Sequence, residues 1–182
     1  MKQIYLVRHC KAAGQAPDAP LTELGVQQAE RLAQFFSDKT VDLILSSPFE
    51  RAVRTIQPLA DKMGLDITLD ARLAERVLAD RDLPDWYELL RKSFDDLDFC
   101  CPGGESSRAA MKRAVAVVED VLCRECRCAV IVSHGNLLSL LLKYFDDRIG
   151  FAEWEALTNP DVYLLTFSPG QDGPVPRRIW TE

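Results

Sequence analysis

The sequence predicts an α/β protein in three layers, a mostly parallel central sheet with helices on both faces. Three observations carry that expectation. Short continuous apolar runs, at 4–7, 41–45 and 129–132, read as strands buried on both sides. Segments with helical spacing alternate with them. The 182 residues are 47% hydrophobic and 27% charged, the balance of an ordinary globular chain large enough for a full core. One domain over residues 1–182 is expected.

The elements follow in order. Ile4 to Val7 is the first buried strand. Leu21 to Phe36 carries apolar residues at Leu24, Ala29, Leu32, Ala33, Phe35 and Phe36, with Thr22 placed to cap a helix. Val41 to Leu45 is the second strand. Glu50 to Met63 reads as a helix stopped by Gly64. Asp66 to Leu69 is a short third strand. The stretch 76–105 is mixed and polar, with one short helix around Asp85 to Lys92. Ser107 to Leu122 has helical periodicity, Ala129 to Val132 is a fourth strand, Leu137 to Phe145 an apolar helix, and Val162 to Phe167 a last strand.

Composition excludes several classes. With 22 Lys and Arg against 28 Asp and Glu, the net charge is 22 − 28 = −6. No basic run suits nucleic acid. No apolar stretch reaches the roughly 18 residues of a membrane span. The opening MKQIYLVRHC is interrupted too early to be a signal peptide. The six cysteines, at 10, 100, 101, 123, 126 and 128, are therefore expected to be free thiols in a reducing, cytoplasmic setting. The oligomeric state is left open.

In open α/β sheets ligands sit beyond the carboxyl ends of the strands. Arg8 and His9 follow the first strand, and Ser46, Ser47 and Pro48 the second, with Arg51 a helical turn on. Glu75 follows the third, and Ser133, His134, Gly135 and Asn136 the fourth. The chain has two histidines, and each stands directly past a strand. Singly these residues have plain structural readings: a hydrogen-bonded His, a salt-bridged Arg, a surface carboxylate. Together they gather cations where the fold places its ligand. Arginine forks match phosphate oxygens, and the amides opening the helix after His134 favour an anion. An oxyanion pocket holding imidazole suggests phosphoryl transfer through nitrogen.

The ordered pieces LVRHC (6–10), LTELGVQQA (21–29), SSPFERAVRT (46–55), LAER (73–76), PGGES (102–106) and VSHGN (132–136) resemble the histidine phosphatase superfamily, in its phosphoglycerate-mutase-like group. The resemblance implies that fold and a set of roles. His9 would be the nucleophile that becomes phosphohistidine. Arg8, Arg51 and His134 would hold the phosphoryl oxygens. Glu75 would be the general acid and then the base. Gly135 would offer a backbone amide, and Gln15 falls where relatives often carry an Asn toward the phosphate. The substrate would be a small phosphomonoester, with no cofactor and no metal. Phosphatase action is the first reading. A mutase that returns the phosphate to product, a protein phosphohistidine phosphatase and a non-catalytic phosphoryl-binding module are the alternatives.

Several positions depart from the family's pattern. Cys10 stands where a small residue such as Gly is usual, and reads as a packed apolar side chain rather than a redox switch. Lys11 reads as solvated, or as a cation at the mouth. The Gly-rich stretch after the acid is missing, which keeps Asp80 and Asp82 as fallback acids. CRECRC at 123–128 reads as reduced cysteines, since a metal site needs four ligands at suitable spacing; Cys100 and Cys101 could complete one. Arg91 and Lys92 read as solvated cations first and substrate contacts second.

Overall fold

The computed structural model describes residues 1–170 and 173–181. Its strands are β1 (Lys2–Arg8), β2 (Leu43–Ser46), β3 (Ile67–Leu69), β4 (Cys128–Ser133), β5 (Asp161–Phe167) and β6 (Arg177–Arg178). Its helices are α1 (Glu23–Phe35), α2 (Glu50–Met63), α3 (Trp86–Asp95), α4 (Ser107–Cys123), α5 (Gly135–Phe145) and α6 (Phe151–Glu155), with a 3₁₀ turn at Ala71–Leu73.

All six strands form one sheet in the order β3-β2-β4-β1-β5-β6. The pairs β3–β2, β2–β4 and β4–β1 are parallel. β5 runs antiparallel to β1, and β6 to β5. Alternation along each strand splits the core in two. Tyr5, Val7, Ile44, Val130, Val132 and Val162 face one way and pack with Leu32, Phe36, Ile56 and Leu59 of the α1–α2 side. Ile4, Leu6, Leu45, Ala129, Ile131 and Leu165 face the other way, onto Ala114, Val118, Leu138 and Leu141 of α4 and α5. The expected three layers are present, and β1 and β4 read as continuous apolar runs because both of their faces are covered.

Local signals set the boundaries. Thr22 caps α1, accepting from the Gly25 amide at 3.0 Å. Ser106 caps α4 through the Ala109 amide at 3.1 Å. Gly64 ends α2 in the left-handed conformation at φ 65°, which costs glycine no Cβ clash. Between residues 76 and 105 only α3 is regular, ending three residues beyond its sequence signal. Arg76, buried in that stretch, donates to Glu105 O at 2.9 Å and Ser93 Oγ at 2.7 Å, tying the chain after Glu75 to α3.

Candidate active site

The carboxyl ends of β1, β2 and β4 lie side by side, and the ladder runs on past them. The His9 amide donates to Ser133 O at 3.1 Å and the Ser47 amide to Val132 O at 2.9 Å. This brings His9, Ser47 and His134 to one edge. The two imidazole centroids are 5.1 Å apart, in an edge-on arrangement. His9 keeps 6% of its surface exposed, Arg51 1% and His134 none. Arg8 and Glu75 are half-buried at the rim, with exposed Lys11 and Gln15 beyond. Two open clefts elsewhere on the surface, beside Phe35 and Trp180 and beside Gln3 and Arg127, line neither histidine.

His9 is wired at both ring nitrogens. Nδ1 lies 2.7 Å from the Cys10 carbonyl. A carbonyl only accepts, so Nδ1 carries the hydrogen and Nε2 the lone pair. Arg51 Nε donates to that Nε2 at 3.3 Å. Burial, with the Arg51 and Arg8 charges adding to it, lowers the His9 pKa to about 4, against the upward pull of the Cys10 hydrogen bond. Burial lowers His134 to about 2, and His9 and Arg51 push the same way. Both rings are neutral near pH 7.

The guanidiniums are aimed by backbone. Arg51 Nη1 donates to Gln15 O at 3.1 Å and Ala16 O at 2.8 Å. Arg8 Nη1 donates to Leu157 O at 2.9 Å and Thr158 O at 3.4 Å. Burial lowers the pKa of both, while Glu75 favours their charged forms, helped at Arg8 by Asp161. Gly135 lets Arg8 lie close: a Cβ there would meet Arg8 Nε at 3.1 Å. Gln15, expected to turn its side chain to phosphate, is exposed and enters through its carbonyl on Arg51.

Glu75 corrects another expectation. The α5 amides of Asn136 and Leu137 are already taken by its carboxylate, at 3.0 Å to Oε2 and 2.9 Å to Oε1. The Arg76 amide adds a second bond to Oε1 at 2.8 Å. The anion at this helix N-terminus is thus the protein's own carboxylate. The turn before it is pinned by Ser133 Oγ, donating to Leu73 O at 2.8 Å, and by Arg113 Nη1, donating to Ala74 O at 2.9 Å. The fallback residues Asp80 and Asp82 are exposed, and Asp80 packs under Gly103, where a Cβ would come within 2.3 Å of it.

Four buried polar atoms at this edge have no partner: Arg8 Nε, His134 Nδ1 and both side-chain polar atoms of Asn136. The other His134 nitrogen lies 2.7 Å from Ser47 Oγ. Such orphans are rare in native interiors and costly. Arg8 Nε and the Asn136 side-chain nitrogen are donors, the kind of group an oxyanion takes up. Asn136, whose place in VSHGN was its only signal, joins the site, as does Asn159, 150 residues from His9, whose Nδ2 donates to His9 O at 2.7 Å.

The remaining candidates lie apart from this chemistry. Cys10 is fully buried, and burial pushes its thiol up to about 12, so it packs as an apolar side chain. Arg91 lies over the Tyr87 and Phe151 rings and Lys92 over Phe99. All six cysteines are free, and among the described residues no group of three or more His, Cys, Asp or Glu is placed to hold a metal ion. No helix among them is long and apolar enough to cross a membrane.

Comparison with known proteins bears on this geometry. The sequence profile of the histidine phosphatase superfamily (branch 1) matches residues 4–179. A Hydrogenobacter thermophilus protein named "Putative phosphoserine phosphatase 2" is 31% identical over 157 residues, 78% of this chain and 77% of its own. A Yersinia pestis protein named "Probable phosphoglycerate mutase GpmB" is 31% identical over 160 residues, 78% of this chain and 74% of its own. The solved mycobacterial glucosyl-3-phosphoglycerate phosphatase aligns with a TM-score of 0.78 at 26% identity, covering 97% of this chain and 96% of that one. The same mycobacterial phosphatase in complex with inorganic phosphate aligns with a TM-score of 0.77 over 99% of this chain and 96% of that one, also at 26% identity. With the profile spanning nearly the whole chain and the fold shared along its length, the chain belongs to the histidine phosphatase superfamily.

Proposed function

We propose that the protein hydrolyses a small phosphomonoester through a phosphohistidine on His9, without a metal. The carrying observation is the pair of imidazoles 5.1 Å apart, one with its Nε2 lone pair met by Arg51 Nε and the other with an unpartnered Nδ1. That nitrogen attacks phosphorus as the P–O ester bond breaks. Arg51 Nε, now on Nε2, moves to a phosphoryl oxygen, while Arg8 and His134 take the others.

The dianionic phosphate of bound substrate favours a protonated Glu75, and the departing alkoxide takes that proton. Oε1 already accepts two amides and Oε2 only one, so the spare site on Oε2 is the one that carries this proton. Glu75, now a carboxylate, removes a proton from water, the water oxygen attacks phosphorus, and the N–P bond breaks to release inorganic phosphate. The positive charge is supplied by guanidiniums, so activity is expected to survive a chelator.

A labelled phosphoester mixed briefly with the enzyme should leave an acid-labile, base-stable label on His9 and none in His9→Ala. Label on Ser or Cys would reject the nucleophile. The relatives are named for phosphoserine, phosphoglycerate and glucosyl-3-phosphoglycerate, so those esters head the substrate panel. Inorganic phosphate as product marks a phosphatase; an isomerised ester without it marks the mutase reading.

A further inference from the structure

The peptide joining His9 to Cys10 is gripped at both ends by side chains outside the reacting set. Its carbonyl, His9 O, accepts from Asn159 Nδ2 at 2.7 Å. Its amide, Cys10 N, donates to Thr55 Oγ1 at 2.8 Å. A carbonyl can only accept, so the Asn159 nitrogen must be the atom facing it. Each grip is anchored in turn. Thr55 sends its hydroxyl proton to Arg51 O at 2.7 Å, one turn back in α2. Asn159 lies in the loop before β5, closed by the Thr158 amide on Asp161 Oδ2 at 3.0 Å and by Thr158 Oγ1 on Pro160 O at 2.7 Å.

What the grip controls lies one atom group further on. The Cys10 carbonyl accepts from His9 Nδ1, a bond from a ring to the next residue's carbonyl. Its geometry depends on the torsions on either side of the His9–Cys10 peptide. The carbonyl itself sits in the next peptide, whose Lys11 amide donates to Gln28 Oε1 at 2.9 Å and so holds it separately. Asn159 and Thr55 hold the plane between the ring and that carbonyl. With this plane free to rotate, the ring shifts against the carbonyl and the proton can settle on Nε2, which then has no lone pair for phosphorus.

We propose that Asn159 and Thr55 are positioning residues for the nucleophile, acting through the His9–Cys10 peptide to keep the His9 proton on Nδ1. The inference rests on His9 being the nucleophile, as proposed above. Neither residue needs to touch substrate.

The chain has only two histidines, so imidazole ¹⁵N chemical shifts read the ring directly, with His134→Asn assigning the signals. In the intact protein at pH 7.5 His9 should show a protonated Nδ1 and a bare Nε2. In Asn159→Ala and in Thr55→Val the two shifts should move toward each other. kcat should fall on the order of 10–100-fold, the scale of a misplaced reacting group, with KM nearly unchanged. Thr55→Ser should restore both readings. The double variant should lose less than the product of the two single losses, because both act on one peptide. Lower kcat with unchanged His9 shifts would overturn the proposal, as would shifted rings with full kcat. A rise in KM with intact shifts would also overturn it, by tracing the effect to Arg8, whose Nη1 rests on the carbonyls of the same loop. The spectrum needs no turnover, so a failure of the nucleophile assignment shows separately, as label trapped elsewhere.

Discussion

Burial takes His9 from an ordinary imidazole value of 6.5 down to about 4, so the ring keeps its lone pair through the neutral range. In the free enzyme, which kcat/KM reports, His9 should therefore stay unprotonated as pH falls through 6.5 and take up its blocking proton only near 4. A limb at 6.5 in kcat/KM, over and above the phosphoester's own second proton at about 6, would contradict this. At this scale the sequence discloses a residue when it stands at a strand end: Arg8, His9, Ser47 and His134 are visible for that reason. Thr55 and Asn159 are not, because what matters about them is a hydrogen bond to backbone 45 and 150 positions away. Gln15 misleads for a related reason: its carbonyl, which any residue would provide, meets Arg51.

Glu75 joins two elements, and its variants should separate two jobs. As acid, its loss should slow esters of poor leaving groups by about 10²–10⁴ and phenolic esters much less. As partner of the α5 amides, its loss should weaken the helix start by about 1 kcal/mol. Glu75→Gln keeps an oxygen for the two amides now on Oε1 and no acid; Glu75→Ala loses both. Equal melting temperatures for the two variants would remove the capping role. Gly135→Ala tests the same junction from the helix side. Its φ is ordinary, so the backbone accepts the change, but the new Cβ meets Arg8 at 3.1 Å. Phosphate should then inhibit less well while the fold stays intact. Element boundaries were legible where periodicity met a cap, as at Thr22 and Gly64. The five residues of α6 and the two of β6 were not, since neither is long enough for its period to repeat. The direction of β5 also escaped, because a buried strand has the same apolar run whether it pairs parallel or antiparallel.

For the molecule as a whole, two buried neutral histidines impose an acid limit. Unfolded, both take protons below about 6.5; folded, they refuse them until about 4 and about 2. Between those values the unfolded chain binds more protons, so stability falls as pH falls, with a slope near pH 5 of about two protons. Denaturant titrations from pH 7 to 4.5 should show it, and the variant carrying both His9→Gln and His134→Gln should flatten it. The three-layer plan was legible because buried parallel strands leave unbroken apolar runs. The order of the strands was not, since β1 pairs with β4 and β5, more than 120 residues later. That pairing has a consequence during synthesis. The carbonyls that aim Arg8 and the amide that steadies His9 belong to residues 157–159. A nascent chain stalled before Leu157 carries His9 and Arg8 without these hydrogen bonds. Such ribosome-bound chains should show no turnover, and the activity should switch on only as the final strands emerge from the exit tunnel.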